Sequence, residues 1–231
     1  MVQRHTILSP LVCIAALLLC GSGTALDAPT PARATTTASD QAEAEYVQAI
    51  DKRSADVVVA LAMTDSAKQA KTHELLVTQY RALRAWHDAN DSMLKSKTAT
   101  PEEKAKVEAS RKALHDTFLS QLSAELTPEQ VEIVKDRMTY NKVRVTYDGY
   151  VEIVPGLTDV HKSTILQMLK EAREEAMDGG SAEEKSAVFK KYKGKINNYL
   201  SAQGIDVGKA YKDWGARQKA KQTMTTTQAT D

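Results

Sequence analysis

Cysteine is almost absent from this 231-residue chain, and both copies, Cys13 and Cys20, lie within the first 25 residues. A chain that loses this segment has no disulfide and no thiol chemistry, so packing alone must hold its fold. A surplus of either charge is also missing. Residues 1–25 contain one arginine and no acid, which leaves 30 basic and 30 acidic side chains in the remainder. This balance argues against a protein that binds nucleic acid.

The usual catalytic and metal-binding motifs are missing as well. The sequence has no His-Glu-x-x-His helix, no paired Cys or His at metal-ligand spacing, no Gly-x-Ser-x-Gly elbow and no phosphate-binding glycine loop. Two apposed carboxylates would be enough for a glycosidase, and a sequence alone does not exclude such a pair. We predict a protein that is not an enzyme, with no cofactor and no metal site.

The first 25 residues have the layout of a secretory signal peptide. A polar start precedes the apolar run 11–19, and small residues follow it, with Gly23 and Ala25 at the −3 and −1 positions of a cleavage site. The apolar run is short for a membrane span, although an uncleaved anchor helix is an alternative. We predict a signal peptide over residues 1–25, export to the periplasm or the medium, and no membrane span in the mature chain.

Cys20 adds a second alternative for this segment. Bacterial lipidation uses a cysteine directly after the apolar region, but it needs a small residue before that cysteine. Leu19 occupies the preceding position. Simple cleavage after Ala25 is therefore the favoured interpretation.

Residues 26–40 contain almost nothing that a core could bury, and residues 223–231 are similar in composition. Such composition is typical of disordered segments. We predict a disordered linker over 26–40, a helical domain over 41–222 and a disordered tail over 223–231.

Between these segments the chain has the pattern of an all-α protein with about six to seven helices in a single bundle-like domain. Apolar residues recur at helical spacing, as in Ile165, Leu169, Ala172 and Ala176. Helix starts are marked by a capping residue, often followed by proline or by a partner three positions later. These starts are at Thr64, Thr100, Thr127, Thr158, Ser181 and Asp206. The first helix is predicted over about 41–63, and residues 90–100 are predicted to be turn-like.

Residues 143–154 permit two structures. Residues 143–147 alternate between apolar and polar, Asp148-Gly149 is a favoured hairpin turn, and residues 150–154 are rich in strand formers. An isolated hairpin is only marginally stable, and no other predicted strand could pair with it. We favour an irregular segment followed by a short helix from Tyr150 to Val154, with the hairpin as the alternative.

One candidate ligand site emerges from the aromatic residues. Trp86, His87 and Asp88 are consecutive near a predicted helix end, while Tyr147 and Tyr150 flank the ambiguous segment. Tyrosine and tryptophan combine a flat apolar face with a hydrogen-bonding edge, which suits a sugar ring. If helix packing brings these five residues together, they would form an aromatic wall with polar edges. The alternative is that Trp86 belongs to the core.

Several separate segments resemble one bacterial family in the same order. They are Trp86-His87, Leu126–Val131, Val145–Tyr150 with Pro155, Ala176–Lys185 and Lys191–Leu200. The chain is similar, over roughly residues 55–214, to the domain of unknown function 3826 family. The resemblance implies a secreted helical protein of bacteria that degrade polysaccharides, with a sugar-binding role and no established catalytic residues. It makes carbohydrate the expected partner.

A slighter resemblance points to another class of protein. Leu126-Thr127-Pro128-Glu129-Gln130 is similar to the Leu-Thr-x-x-Gln motif of Spy-type periplasmic chaperones, which carry two copies. Leu157-Thr158-Asp159-Val160-His161 lacks the glutamine. We therefore expect a non-catalytic, exported carbohydrate-binding protein, with a Spy-like chaperone or structural helical module as the alternative.

Overall fold

The computed structural model describes residues 38–228, with side chains described as far as residue 222, and every regular element in this range is an α-helix. In chain order the helices are α1 (Ala38–Ala60), α2 (Ser66–Lys95), α3 (Pro101–Glu125), α4 (Pro128–Met138), α5 (Lys142–Ile153), α6 (Asp159–Met177), α7 (Ala182–Ala202) and α8 (Val207–Gln228). The predicted all-α, bundle-like fold is confirmed. The predicted signal peptide, with both cysteines, and the linker up to residue 37 lie outside the described residues.

Capping explains where three of the helices begin. At the start of α4, the Thr127 hydroxyl accepts a hydrogen bond from the Gln130 backbone N–H at 3.3 Å, and the Gln130 side chain accepts one from the Thr127 N–H at 3.1 Å. The same reciprocal box opens α3 at Thr100 and α6 at Thr158. Each box satisfies backbone donors that a helix start leaves without partners. These predicted starts are confirmed.

The cap of α2 differs from its prediction. Asp65, and not Thr64, is the N-cap, and its Oδ1 accepts from the backbone N–H groups of Ala67 and Lys68. A carboxylate is also the better cap here because it meets the positive end of the helix dipole.

Four other helix ends differ from their predicted positions. The α2 helix continues to Lys95, through residues predicted to be turn-like, and Lys95 bonds Asp91 one turn earlier at 2.9 Å. The α1 helix begins at Ala38, inside the predicted linker, and ends at Ala60. At the other end of the chain, α8 continues to Gln228, inside the predicted tail, while residues 229–231 lie outside the described residues.

Residues 143–154 form neither a hairpin nor an irregular segment, and the short helix predicted from Tyr150 to Val154 is the last part of a longer helix that ends at Ile153. They are helical from Lys142 to Ile153, as α5. Val143, Tyr150 and Val154 are all buried in the same cluster as residues of α6 and α7. Their spacing of seven and four residues places them on one helix face. Packing against two neighbouring helices therefore overrides the strand preference of these residues.

The buried side chains form two clusters. The first combines residues of α1, α2, α3 and α4, and it includes Val57, Leu76, Leu122 and Val134. The second combines α5, α6 and α7, and it includes Tyr150, Ile165, Leu169 and Ile196. Met177, at the end of α6, belongs to the first cluster, so α6 contacts both.

Arg173 links the two clusters. It is 2% exposed, and its guanidinium donates to Asp136 and Glu132 of α4, each at 2.7 Å. This is a charged contact between α4 and α6 in which the arginine is desolvated and the two acids keep partial contact with solvent. Within the described range, no helix is both long enough and apolar enough to span a membrane.

Candidate functional site

A cavity of about 490 Å³ lies where α1 and α2 meet two interhelical turns. One turn joins α4 to α5, and the other joins α6 to α7. The lining therefore comes from four separate parts of the chain. It consists of Tyr46, Ile50, Arg53, Asp56, Val57, Tyr80, Leu83, Arg84, Arg137, Met138, Tyr140, Asn141, Gly179, Gly180, Ser181, Ala182 and Lys185.

Two tyrosines of the cavity are held by the contact between α1 and α2. The Tyr46 hydroxyl donates to the carbonyl oxygen of Tyr80 at 2.9 Å, and the guanidinium carbon of Arg84 lies 4.1 Å from the centre of the Tyr46 ring. Burial raises the pKa of Tyr80 to about 12, so its phenol stays protonated and can donate. Among the described residues, no hydrogen bond to this hydroxyl is formed. Tyr80 therefore presents an unused polar group.

The turn between α4 and α5 has an uncommon backbone. Tyr140 and Asn141 have φ values of 59° and 54°, in the left-handed region. Asparagine tolerates this region, but tyrosine does so at a cost of about 1 kcal/mol or more. The turn is stabilised by the Asn141 N–H, which donates to the Asp136 carbonyl at 2.7 Å. Strained residues gather at functional sites, and this strain places a 44% exposed tyrosine at the cavity.

Lys185 brings a buried positive charge to the cavity. It lies in the first turn of α7, is 4% exposed, and donates to the carbonyl oxygens of Ala176 and Met177 at 3.2 and 2.8 Å. Burial lowers its pKa to about 8. The two carbonyls belong to the last turn of α6, where a cation is favoured. An ammonium has three donors, so one remains for another acceptor.

The other charges of the cavity are mostly positive. Arg84 donates at 2.8 Å to Glu43, which does not belong to the lining. Asp56, the single acidic residue of the lining, pairs with Lys52 at 3.0 Å. Arg53 and Arg137 have no carboxylate partner among the described residues. The cavity therefore combines tyrosine rings with cationic groups that lack a counterion.

The predicted residues Trp86, His87 and Asp88 lie beside this cavity, not in its lining. The Trp86 indole donates to the Ser110 hydroxyl on α3 at 2.8 Å, which ties α2 to α3. Asp88 is exposed, and its carboxylate lies 3.9 Å from the Arg84 side chain. His87 packs against the turn between α6 and α7, where its Nε2 donates to the Asp178 carbonyl at 2.7 Å.

Tyr147 and Tyr150 lie in a different cluster. Tyr150 is buried, and its hydroxyl donates to the Asn197 side chain on α7 at 2.7 Å. Tyr147 is partly buried against the same cluster. Among the described residues, no hydrogen bond, ring contact or cavity joins this pair to Trp86, His87 or Asp88. The aromatic wall expected from these five residues is therefore not assembled by the packing.

One group of side chains has the arrangement of metal ligands. His87, Asp91 and Glu184 each offer a ligand atom, all within 4.8 Å of one another. Each group already has a partner. His87 Nδ1 lies 2.9 Å from Asp91, whose second oxygen accepts from Lys95, and Glu184 accepts from the Gly180 N–H at 2.8 Å. These hydrogen bonds explain why the three side chains lie together, at a place where α2 contacts the start of α7.

Comparison with known proteins adds the family. Residues 47–220 match the sequence model of a family described as "Protein of unknown function (DUF3826)". A search of curated proteins returned no match. The matched region contains helices α2 to α7 and all of the cavity lining except Tyr46. The chain belongs to the DUF3826 family.

Proposed function

We propose that this protein is an exported, non-catalytic carbohydrate-binding protein and that its ligand site is the cavity between α1, α2 and the two turns. The observation that carries the proposal is the combination of Tyr80 and Tyr140 with unpaired cationic donors in one cavity. Its volume falls in the range of small-molecule sites, about 300–1,000 Å³.

The polar groups of the cavity suit a hydroxylated ring. Carbohydrates offer many hydroxyl groups and C–H faces, so a binding site needs flat apolar surfaces with donors at their edges. Tyr140 is partly exposed at the cavity, and the Tyr80 phenol has an unused hydroxyl. Arg53 and Arg137 add donors that are not occupied by acids.

The same groups favour binding over catalysis. A glycosidase requires two carboxylic groups on either side of the bond that it cleaves. Asp56 is the single carboxylate among the lining residues, and it is already paired with Lys52. Lys185 acts as a hydrogen-bond donor, because its ammonium group contacts two carbonyl oxygens.

Carbohydrate binding is tested with a glycan array on the chain that begins at residue 26, followed by calorimetry with the best ligand. Tyr140→Ala should weaken binding by about 1–3 kcal/mol, or roughly 5- to 150-fold, as loss of a stacking aromatic does elsewhere. Tyr211→Ala is the matched control, because Tyr211 is 59% exposed on α8, outside the cavity lining. Both variants should melt within a few degrees of the parent.

Two outcomes would contradict this proposal. One is the absence of any glycan ligand together with suppression of client aggregation, which would favour the Spy-like chaperone. The other is equal loss of affinity in Tyr140→Ala and Tyr211→Ala, which would place a carbohydrate site elsewhere.

Export is tested separately. The apolar run and the small residues up to Ala25 support cleavage at that position. Mass spectrometry of the product from its native host should show an N-terminus at Leu26. A soluble product that retains Met1 would contradict export.

A further inference from the structure

We propose that the carbohydrate bound in this cavity is acidic and that its carboxylate, as in a uronic acid, is bound by Arg53, Arg137 and Lys185. This inference rests on the proposed function of the cavity and adds the chemical class of the ligand.

The charge of the lining is the first reason. Four lining residues are cationic and one is acidic, although the chain beyond residue 25 has equal numbers of both. The single acid, Asp56, is neutralised by Lys52 from outside the lining. Of the cations, Arg84 alone has an acidic partner, Glu43. The lining therefore carries three more cations than acids, and the acids that act on Lys185 from outside the lining are Asp178 and Glu184.

Several charged contacts elsewhere on the helices show the pairing that Arg53 and Arg137 lack. Cations are paired with an acid one turn away in Lys95–Asp91, Lys112–Asp116 and Lys209–Asp213. Even the buried Arg173 has acidic partners on α4. Arg53 and Arg137 lie at the cavity without such a partner. A carboxylate from a ligand would supply the missing acceptor, and a guanidinium can bind it through two parallel hydrogen bonds.

Lys185 is the second reason. A buried charge is costly unless it is paired, and the acceptors of Lys185 are two neutral carbonyl groups. Burial lowers the pKa of Lys185 most; the carboxylate of Asp178 offsets part of this, and the neighbouring cation Arg53 lowers the pKa further. An anion in the cavity would relieve both effects at once. The third N–H of the ammonium is available for that contact.

The cavity has aromatic groups that suit the sugar ring of a uronic acid and cationic groups that suit its carboxylate. Arg53 lines the same cavity as Tyr46, Tyr80 and Lys185. Tyrosine rings and hydroxyls are thus next to the cationic groups in one cavity. A uronic acid has the same two parts, a hydroxylated ring and a carboxylate attached to it.

The experiment compares three oligosaccharides of equal length by calorimetry: oligogalacturonate, its methyl ester and a neutral galactan. Oligogalacturonate should bind about ten- to hundredfold more tightly than the ester, the difference expected for loss of a charged hydrogen-bonding partner. Affinity should fall as sodium chloride is raised. A sulfated galactan forms the fourth arm, and tighter binding of it than of the uronate would overturn the carboxylate assignment.

Variants test the residues. Arg53→Gln and Arg137→Gln should each reduce the preference for oligogalacturonate over its ester, while Arg217→Gln should leave it unchanged, because Arg217 is exposed on α8 outside the lining. Equal binding of acid, ester and neutral galactan, all weakened by Tyr140→Ala, would overturn this inference and leave the proposed function standing. Binding of none of the four, with no other ligand on the array, would overturn both.

Discussion

Gly180 is the residue at which a single methyl group should have the clearest effect on the fold. It lies in the turn between α6 and α7, directly against the imidazole of His87 on α2. A Cβ at position 180 would lie 2.9 Å from both Cδ2 and Cγ of that ring. Such a distance is shorter than carbon atoms tolerate, so either the ring or the turn must move.

The ring is not free to move away. The His87 side chain is 12% exposed, its Nε2 donates to the Asp178 carbonyl at 2.7 Å, and its Nδ1 lies 2.9 Å from Asp91. Overpacking of this kind costs about 1–3 kcal/mol. The reduced freedom of the unfolded chain offsets about 0.4–1 kcal/mol of this when glycine becomes alanine. We expect Gly180→Ala to lower the free energy of unfolding by about 1–2 kcal/mol.

Gly194→Ala is the matched control. Gly194 is inside α7, and no heavy atom lies within 4 Å of the Cβ it would gain. Alanine is the better helix former by about 0.5–1 kcal/mol, so this variant should be more stable than the parent. Urea unfolding followed by circular dichroism measures both changes. For a domain of this size, the melting temperature should move by about 2–4 °C per kcal/mol.

A double-mutant cycle identifies the cause. In a His87→Ala background the imidazole is gone, so Gly180→Ala should become neutral or stabilising. The coupling between the two positions should then exceed about 1 kcal/mol. The reasoning fails if Gly180→Ala costs the same in both backgrounds, because the strain would then arise from the backbone of the turn and not from the ring.

Three further predictions concern stability. Thr127→Ala should cost about 1 kcal/mol in urea unfolding, because it removes the capping box of α4. Arg173→Ala should cost about 3 kcal/mol by the same measurement, through loss of the buried contacts between α6 and α4. The Asp178 hydrogen bond raises the pKa of His115 above its ordinary 6.5, so the folded state favours the protonated ring. That contribution is present below about pH 6.5 and is lost as pH rises through the raised pKa, and His115→Gln should flatten this decline.

The parts of the fold that depend on local chemistry could be predicted from the sequence. Thr100, Thr127 and Thr158 start helices because their hydroxyls and the residues three positions later satisfy one another, and no distant contact is needed. The helix over 142–153 could not be predicted in this way. Its β-branched residues become helical because Val143 and Tyr150 are buried against α6 and α7. Only the tertiary structure contains that information.

The cavity was even harder to predict from the sequence, because its lining residues come from four separate parts of the chain and only the tertiary structure brings them together. The sequence predicted a site at the consecutive residues Trp86, His87 and Asp88, and the structure places them beside the cavity. They lie on the same helix as part of the proposed site, but outside its lining. The residues of α2 that line the cavity are Tyr80, Leu83 and Arg84, within about two turns before Trp86.

One property of the cavity was nevertheless visible in the sequence. On a helix, an acid three or four residues from a basic residue neutralises it, and most cations of this chain have one. Arg137 has Ile133, Val134, Tyr140 and Asn141 at these positions, and none is acidic. Arg53 has one acid, Asp56, but Lys52 pairs with it. A cation without a helical partner depends on the tertiary structure for a counterion, and Arg173 receives one from α4. Arg53 and Arg137, neither of which forms an ion pair among the described residues, line the same cavity, although 84 positions separate them in the sequence. Arg53 and Arg137 are proposed to bind the ligand because neither has an acidic partner within the described part of the protein.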